Sequence, residues 1–177
     1  MDQDKIFMQK ALELANKGRG RTSPNPMSGA VIVKDGEIVG EGFYSQSGTQ
    51  HAEYFALEAA GEKAEGATLY VVVEPCSTKG RFTSCYEYIK EKGIKRIVVA
   101  MEDPNNTIKG KGLQALLDSN IEVSLCVEEE AAKKLNETLF KYSAIRLPFI
   151  NMVSAMTLDG KIATVLGDRE WIICNES

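Results

Sequence analysis

Histidine is nearly missing from this chain: among 177 residues only His51 carries an imidazole, so chemistry that needs one has a single address. Cysteine is sparse too, and four in a chain of this length are too few for a disulfide scaffold, which leaves thiols or metal ligands in a reducing compartment. No apolar stretch approaches the ~20 residues of a membrane span, and the opening Met1-Asp2-Gln3-Asp4 lacks the basic-then-apolar layout of a secretory signal. Together these predict a cytoplasmic protein with no membrane partner. Positive charge is not in excess either: a net charge of −4, with both signs mixed along the chain, offers no footprint for nucleic acid. The short basic runs Lys17 to Arg21 and Lys109 to Lys111 read as solvated loops. Internal repeats and low-complexity segments are absent. What remains, 44% hydrophobic and 26% charged residues, is the profile of one globular domain with a short tail.

Ile6, Met8, Ala11, Leu12, Leu14 and Ala15 recur at helical spacing, with Gly18 and Gly20 as stop signals, and predict an opening amphipathic helix. After a Thr-Ser-Pro-Asn-Pro loop, Gly29 to Val33 and Glu37 to Phe43 flank an Asp35-Gly36 turn, the strongest short-range hairpin signal. Helix and strand then alternate. Helices are expected over His51 to Gly61, Thr83 to Lys92, Leu113 to Ser119 and Glu129 to Tyr142, and strands over Thr68 to Val73, Arg96 to Ala100 and Ile121 to Leu125. This order predicts a three-layer α/β/α fold whose central sheet is mixed, because the leading hairpin is antiparallel while later strands are joined through helices. A boundary is expected near Arg146-Leu147-Pro148, with a new apolar strand over Phe149 to Val153, giving one domain over 1–146 and a separate segment over 147–177.

Within this frame His51-Ala52-Glu53 opens a helix, Glu74-Pro75-Cys76 closes an apolar strand, and Cys85 follows, with eight residues between it and Cys76. An H-x-E motif followed by P-C-x-x-C is the signature of zinc deaminases, in which the glutamate is not a ligand; here its second half is stretched, a spacing unusual for a zinc knuckle but compatible with two ligands on a loop and the following helix. The chemistry explains the set. Water at neutral pH is a poor nucleophile and an amine a poor leaving group. Zinc on three protein ligands keeps a position for water and lowers its pKa to about 7, and a nearby carboxylate can carry the proton to the departing nitrogen. His51, Cys76 and Cys85 are the expected zinc ligands and Glu53 the expected catalytic proton carrier. A lone histidine is more often a hydrogen-bonded surface or core residue, but H-A-E and P-C in this order, at a helix start and a strand end, outweigh that reading. Cys126 and Cys174 have no such company and read as small buried or half-buried hydrophobes.

The chain resembles the pyrimidine deaminase family of riboflavin biosynthesis, the N-terminal half of bifunctional deaminase-reductases with a cytidine-deaminase-like fold. The residues that carry the likeness are Thr22 to Val33, His51-Ala52-Glu53, Glu74-Pro75-Cys76-Ser77, Gly80-Arg81 with Cys85, Val99 to Asn105 and Gly110 to Leu113. The long interval between Cys76 and Cys85 is the spacing of that family. The resemblance implies hydrolytic loss of the 2-amino group from a diaminopyrimidinone ribosylamine 5′-phosphate, releasing ammonia. It implies a substrate contact from Asn25, which by residue type alone reads equally well as a turn residue between two prolines. It implies a phosphate contact from Arg81, and a guanidinium suits phosphate oxygens. It also implies self-association into a homo-oligomer. Tyr44 and Thr78 stand where the family usually has histidines, Thr83-Ser84 where it has Pro-Pro, and Asn106 where it has proline. Tyr44 and Thr78 are thus expected substrate-binding positions with altered chemistry: each can hydrogen-bond, and neither carries positive charge. The segment 147–177, with Thr157 to Thr164 and Trp171-Ile172, resembles the start of the family's reductase half and is expected to form no nicotinamide site by itself.

Three readings follow. The first is the riboflavin-pathway deaminase. The second is a deaminase of another pyrimidine or purine-like base, suggested by Tyr44 and Thr78. The third is a zinc-stabilised binding module without catalysis, against which Glu53 speaks, since a three-ligand zinc site needs no such carboxylate.

Overall fold

The computed structural model describes residues 3–78, 82–105 and 109–165. The opening helix α1 (Gln3–Asn16) leads into the hairpin of β1 (Gly29–Lys34) and β2 (Glu37–Phe43). Asp35 and Gly36 take φ of 51° and 82°, the left-handed pair that a two-residue turn between twisted strands demands. Next come α2 (Ala52–Ala60), β3 (Thr68–Val73), α3 (Cys85–Glu91), β4 (Arg96–Met101), α4 (Lys111–Asp118) and β5 (Glu122–Leu125). Two short helices, α5 (Glu129–Leu135) and α6 (Glu137–Ile145), complete the series.

The strands form one mixed sheet in the order β2-β1-β3-β4-β5. β1 is antiparallel to both β2 and β3, whereas β3, β4 and β5 run parallel. Strand alternation sorts the core into two halves. Ala30, Ile32, Leu69, Val71, Ile97 and Val99 face α2, α3 and α4, while Val31, Val33, Tyr70, Val72, Val98 and Ala100 face α1 and α5. Helix α2 lies directly on β2 because β2 offers glycine where they meet: a Cβ on Gly42 would stand 2.3 Å from the Ala52 carbonyl oxygen. That close approach fixes the height of the α2 N-terminus, where His51 and Glu53 sit.

Three expectations need correction. The helix expected over Glu129 to Tyr142 is broken at Asn136, whose φ of −106° and ψ of 23° separate α5 from α6. The break is tertiary in origin: the buried Asn136 amide accepts from the Met27 N–H (2.8 Å) and donates to the Met27 carbonyl (3.1 Å), tying this corner to the Thr22–Met27 loop. Phe149 to Val153 forms no strand; the segment is exposed, and without a neighbouring strand an extended stretch cannot pair its backbone. Cys126 is exposed rather than buried, because it follows the outermost strand β5 in a left-handed turn (φ 64°). Cys174 lies outside the described residues.

The chain divides into two compact units, Met1–Leu147 and Pro148–Ser177. Within the second unit a local turn is closed by the Thr157 hydroxyl, which accepts from the Lys161 N–H (2.9 Å). Among the described residues no helix is long and apolar enough to cross a membrane.

Candidate metal centre and its pocket

The site lies beyond the carboxyl ends of the parallel strands β3 and β4, the crevice where open α/β sheets place their ligands. Four pieces of chain converge there. His51 is the residue just before α2, in extended conformation, and Glu53 is in that helix's first turn. Glu74-Pro75-Cys76 runs on from β3, Cys85 opens α3, and Asp103 follows β4. The start of α3 is fixed by its N-cap: Ser84 Oγ accepts from the Glu87 N–H at 3.2 Å and donates to the Glu87 carboxylate at 3.1 Å. This explains why the helix begins at Cys85 and not at Thr83.

One ligand atom from each of His51, Cys76 and Cys85 lies within 4.8 Å of the other two. His51 Nδ1 is 3.2 Å from Cys85 Sγ, and the two sulfurs are 3.3 Å apart. The Cys85 backbone N–H donates to Cys76 Sγ at 3.3 Å, so the first amide of α3 serves the thiolate of the preceding loop. These contacts set the protonation pattern. The Cys85 thiol and the His51 imidazole pull Cys76 down to about 4, Cys85 is pushed well above the thiol range by Cys76 and by burial, and His51 is held up to about 9, mainly by Cys76. Two thiols and one imidazole, clustered with hydrogen-bond protons between them, are the donor set zinc takes when three protein ligands leave one position open. The residues present therefore fit the ion.

This pattern has a measurable consequence. At pH 6 Cys76 is a thiolate while Cys85 and His51 hold protons, so zinc uptake by the metal-free protein is expected to release about two protons per ion. Calorimetric titration in buffers of different ionisation enthalpy counts them. A value near three would mean that Cys76 is not ionised beforehand, and a value near zero that the ligands carry no protons to displace.

Glu53 is buried, and its carboxyl is pushed above the usual range by that burial, with His51 opposing. It stands outside the ligand cluster but lines the same small cavity of about 150 Å3, together with Asn25, Ser28, Tyr44, His51, Cys76 and Asp103. Tyr44, 3% exposed, places its ring edge-on to His51 with centroids 5.4 Å apart. Its hydroxyl oxygen accepts from Asn25 Nδ2 (2.8 Å) and from the Gly48 N–H (3.1 Å). Thr78 is exposed on the loop after Cys76 and does not line this cavity. Arg81 lies outside the described residues.

Sequence reasoning gave no role to two carboxylates that the structure brings in. Asp103 lines the cavity, and burial, with Glu74 and Cys76 nearby, raises its carboxyl above the ordinary range while the Asn105 N–H opposes. Buried Glu74 clamps the loop that carries Asp103. Its Oε2 accepts from the Asp103 (3.2 Å) and Gly110 (2.9 Å) N–H groups, and its Oε1 from those of Gly112 (2.9 Å) and Leu113 (3.4 Å). The signal available was glycine: a Cβ on Gly112 would stand 2.0 Å from the Pro75 carbonyl oxygen, so only glycine lets α4 start against the Glu74-Pro75 turn.

Comparison with known proteins bears on the same residues. The family model of the cytidine and deoxycytidylate deaminase zinc-binding region matches residues 1–101. The riboflavin biosynthesis protein RibD of Aquifex aeolicus is 51% identical over 174 residues, covering 98% of this chain and 49% of the relative. The crystal structure of a diaminohydroxyphosphoribosylaminopyrimidine deaminase/5-amino-6-(5-phosphoribosylamino)uracil reductase from Thermotoga maritima is 44% identical and superposes with a TM-score of 0.91 over 97% of this chain and 50% of that one. RibD of Acinetobacter baumannii, also 44% identical, gives a TM-score of 0.90 over 97% and 48%. This chain thus spans about half the length of these relatives. The fold is the cytidine-deaminase-like one, zinc is the metal its His/Cys/Cys cluster is suited to, and the chain belongs to the family of the cytidine and deoxycytidylate deaminase zinc-binding region.

Proposed function

We propose that the protein hydrolytically deaminates a diaminopyrimidinone ribosylamine 5′-phosphate, the riboflavin-pathway intermediate, releasing ammonia. The observation that carries this reading is the buried Glu53 carboxylate in the same small cavity as the His51, Cys76 and Cys85 cluster, in a chain 44–51% identical to RibD proteins along almost its whole length. His51, Cys76 and Cys85 are the proposed zinc ligands. Bound zinc supplies Lewis acidity and an acidified water. As a C–O bond forms and the C–N bond to the amine breaks, Glu53 carries the two protons of the attacking water, one to the ring nitrogen and one to the departing amine, which leaves a carbonyl at the same carbon. Burial that raises its carboxyl suits this task, because the group accepts a proton readily near neutral pH. Asn25 and Tyr44 are the proposed contacts to the ring, Thr78, exposed after Cys76, is assigned to the part of the substrate outside the cavity, and Arg81 is the proposed phosphate contact by its residue type. The reaction is placed in the cytoplasm, where the cysteines stay reduced, and the active form is taken to be a homo-oligomer.

One observation favours a second substrate in the same class. The Asn25 amide is already engaged by the Tyr44 hydroxyl, so the ring meets a tyrosine-asparagine pair in a position where the family usually offers histidine. Another aminated pyrimidine or a purine-like base is the alternative. Ammonia release from the zinc-loaded protein, measured on the riboflavin intermediate beside a panel of aminated pyrimidines and purines, separates the two. The expected result is a kcat/KM for the riboflavin intermediate at least tenfold above every other compound, and preference for another base would transfer the assignment to it.

A further inference from the structure

Ser28 closes the Thr22 to Ser28 loop just before β1 and is 8% exposed. Its carbonyl is used, accepting from the Tyr44 N–H at 2.9 Å. Its hydroxyl is not: among the described residues Ser28 Oγ is the buried side-chain oxygen or nitrogen that has no hydrogen-bond partner. Buried polar atoms are nearly always paired, so an orphan asks for a reason. The position supplies one, because Ser28 lines the cavity that also holds His51, Glu53 and Cys76. A hydroxyl kept unpaired inside protein, at the wall of a reaction cavity, is a group whose partner arrives with the ligand.

The cavity also says what part of a ligand arrives there. At about 150 Å3 it is well below the ~300–1,000 Å3 of pockets that enclose a drug-sized molecule, so it takes a single heteroaromatic ring, with any sugar phosphate left outside. Of the neighbouring polar groups, Glu53 and Asp103 are carboxyls, while the Tyr44 oxygen accepts two hydrogen bonds, one of them from Asn25 Nδ2. Tyr44 and Asn25 are thus held by each other, whereas among the described residues Ser28 is the neutral donor of the wall whose oxygen meets no protein group, and the polar edge of a pyrimidinone that takes such a donor is its exocyclic oxygen. We propose that Ser28 is a specificity-determining residue of this site, its hydroxyl donating to the exocyclic oxygen of the ring that enters the cavity. This rests on the deaminase reading for the kind of ring, and the hydroxyl's role as a donor is separable from the identity of the natural substrate.

The test compares Ser28→Ala and Ser28→Thr with the parent, all zinc-loaded. Binding is measured by calorimetry with two probes differing in one exocyclic oxygen, 2-amino-4-pyrimidinone and 2-aminopyrimidine. One neutral hydrogen bond corresponds to about a 3- to 10-fold change in affinity. Ser28→Ala is expected to weaken the pyrimidinone by that factor and leave 2-aminopyrimidine within twofold, with the Tm unchanged or raised since no partner in the protein is lost; Ser28→Thr restores the preference. A merely structural serine would instead lower the Tm and shift both probes alike. Equal effects on the two probes, or no binding of either by the parent, overturns the inference. If the parent shows the oxygen-dependent binding yet does not deaminate the riboflavin intermediate, the inference stands and the substrate assignment falls.

Discussion

Glu53→Gln is expected to lower kcat for ammonia release by about 10²- to 10⁴-fold, the range ascribed to a positioned general acid-base, while zinc content stays that of the parent. The amide keeps the shape and the polarity of the side chain but cannot carry a proton, and the ligand cluster does not include Glu53. Stability should move the other way. Burial raises the folded-state pKa of this carboxyl, so between the ordinary value of 4.5 and the raised one the native state binds more protons than the unfolded chain, and its stability falls as pH rises through that window. In the metal-free protein, removing that ionisation makes Glu53→Gln at least as stable as the parent at pH 7, with the advantage vanishing below pH 4. Zinc analysis, steady-state rates and melting curves at the two pH values check all three parts. A variant that keeps its zinc and retains more than a tenth of parental kcat would remove Glu53 from the proton pathway.

What could be read from residues alone divides by distance along the chain. The Asp35-Gly36 hairpin was legible because two adjacent residues dictate it, and α1 because its apolar stripe repeats within fourteen residues. The mixed character of the sheet followed from the kinds of connection, whereas the interior place of β1, between β2 and β3, depends on pairing Ala30 with Val71 across about forty residues of chain. The break at Asn136 was hidden for a similar reason: its cause is the Met27 backbone, 109 positions away. At the site, the clustered His51, Cys76 and Cys85, and Glu53 beside them, announce themselves by type and order. Ser28 does not, since a serine before a strand is ordinary until its hydroxyl is seen to lack a partner beside the cavity. The first amide of helix α3 donates to the Cys76 sulfur of the preceding loop rather than to the side chain of its own first residue, Cys85. A rule about helix ends names the donor; only the fold names the acceptor.

Glu74 gives the second large expected effect, and its geometry makes the prediction graded. Each carboxylate oxygen serves two N–H groups, Oε1 those of Gly112 and Leu113, Oε2 those of Asp103 and Gly110. Glu74→Ala orphans all four, those of Gly112 and Leu113 buried and those of Asp103 and Gly110 partly so; at about 1–3 kcal/mol for a buried donor and less for the other two, it should cost about 3–5 kcal/mol. For a chain of this size that is a fall in Tm of roughly 6–20 °C. Glu74→Gln has one acceptor oxygen and one donor nitrogen, so whichever way the amide turns it keeps one pair and sets its own N–H against the other; about half the loss is expected. Asp103 follows the loop, so kcat/KM should fall in both variants even at temperatures where both remain folded, and more in the alanine than in the glutamine. Melting temperatures within 1 °C of the parent for both variants would show that the loop holds Asp103 at the cavity by other means, and that Gly112 serves the approach of α4 alone.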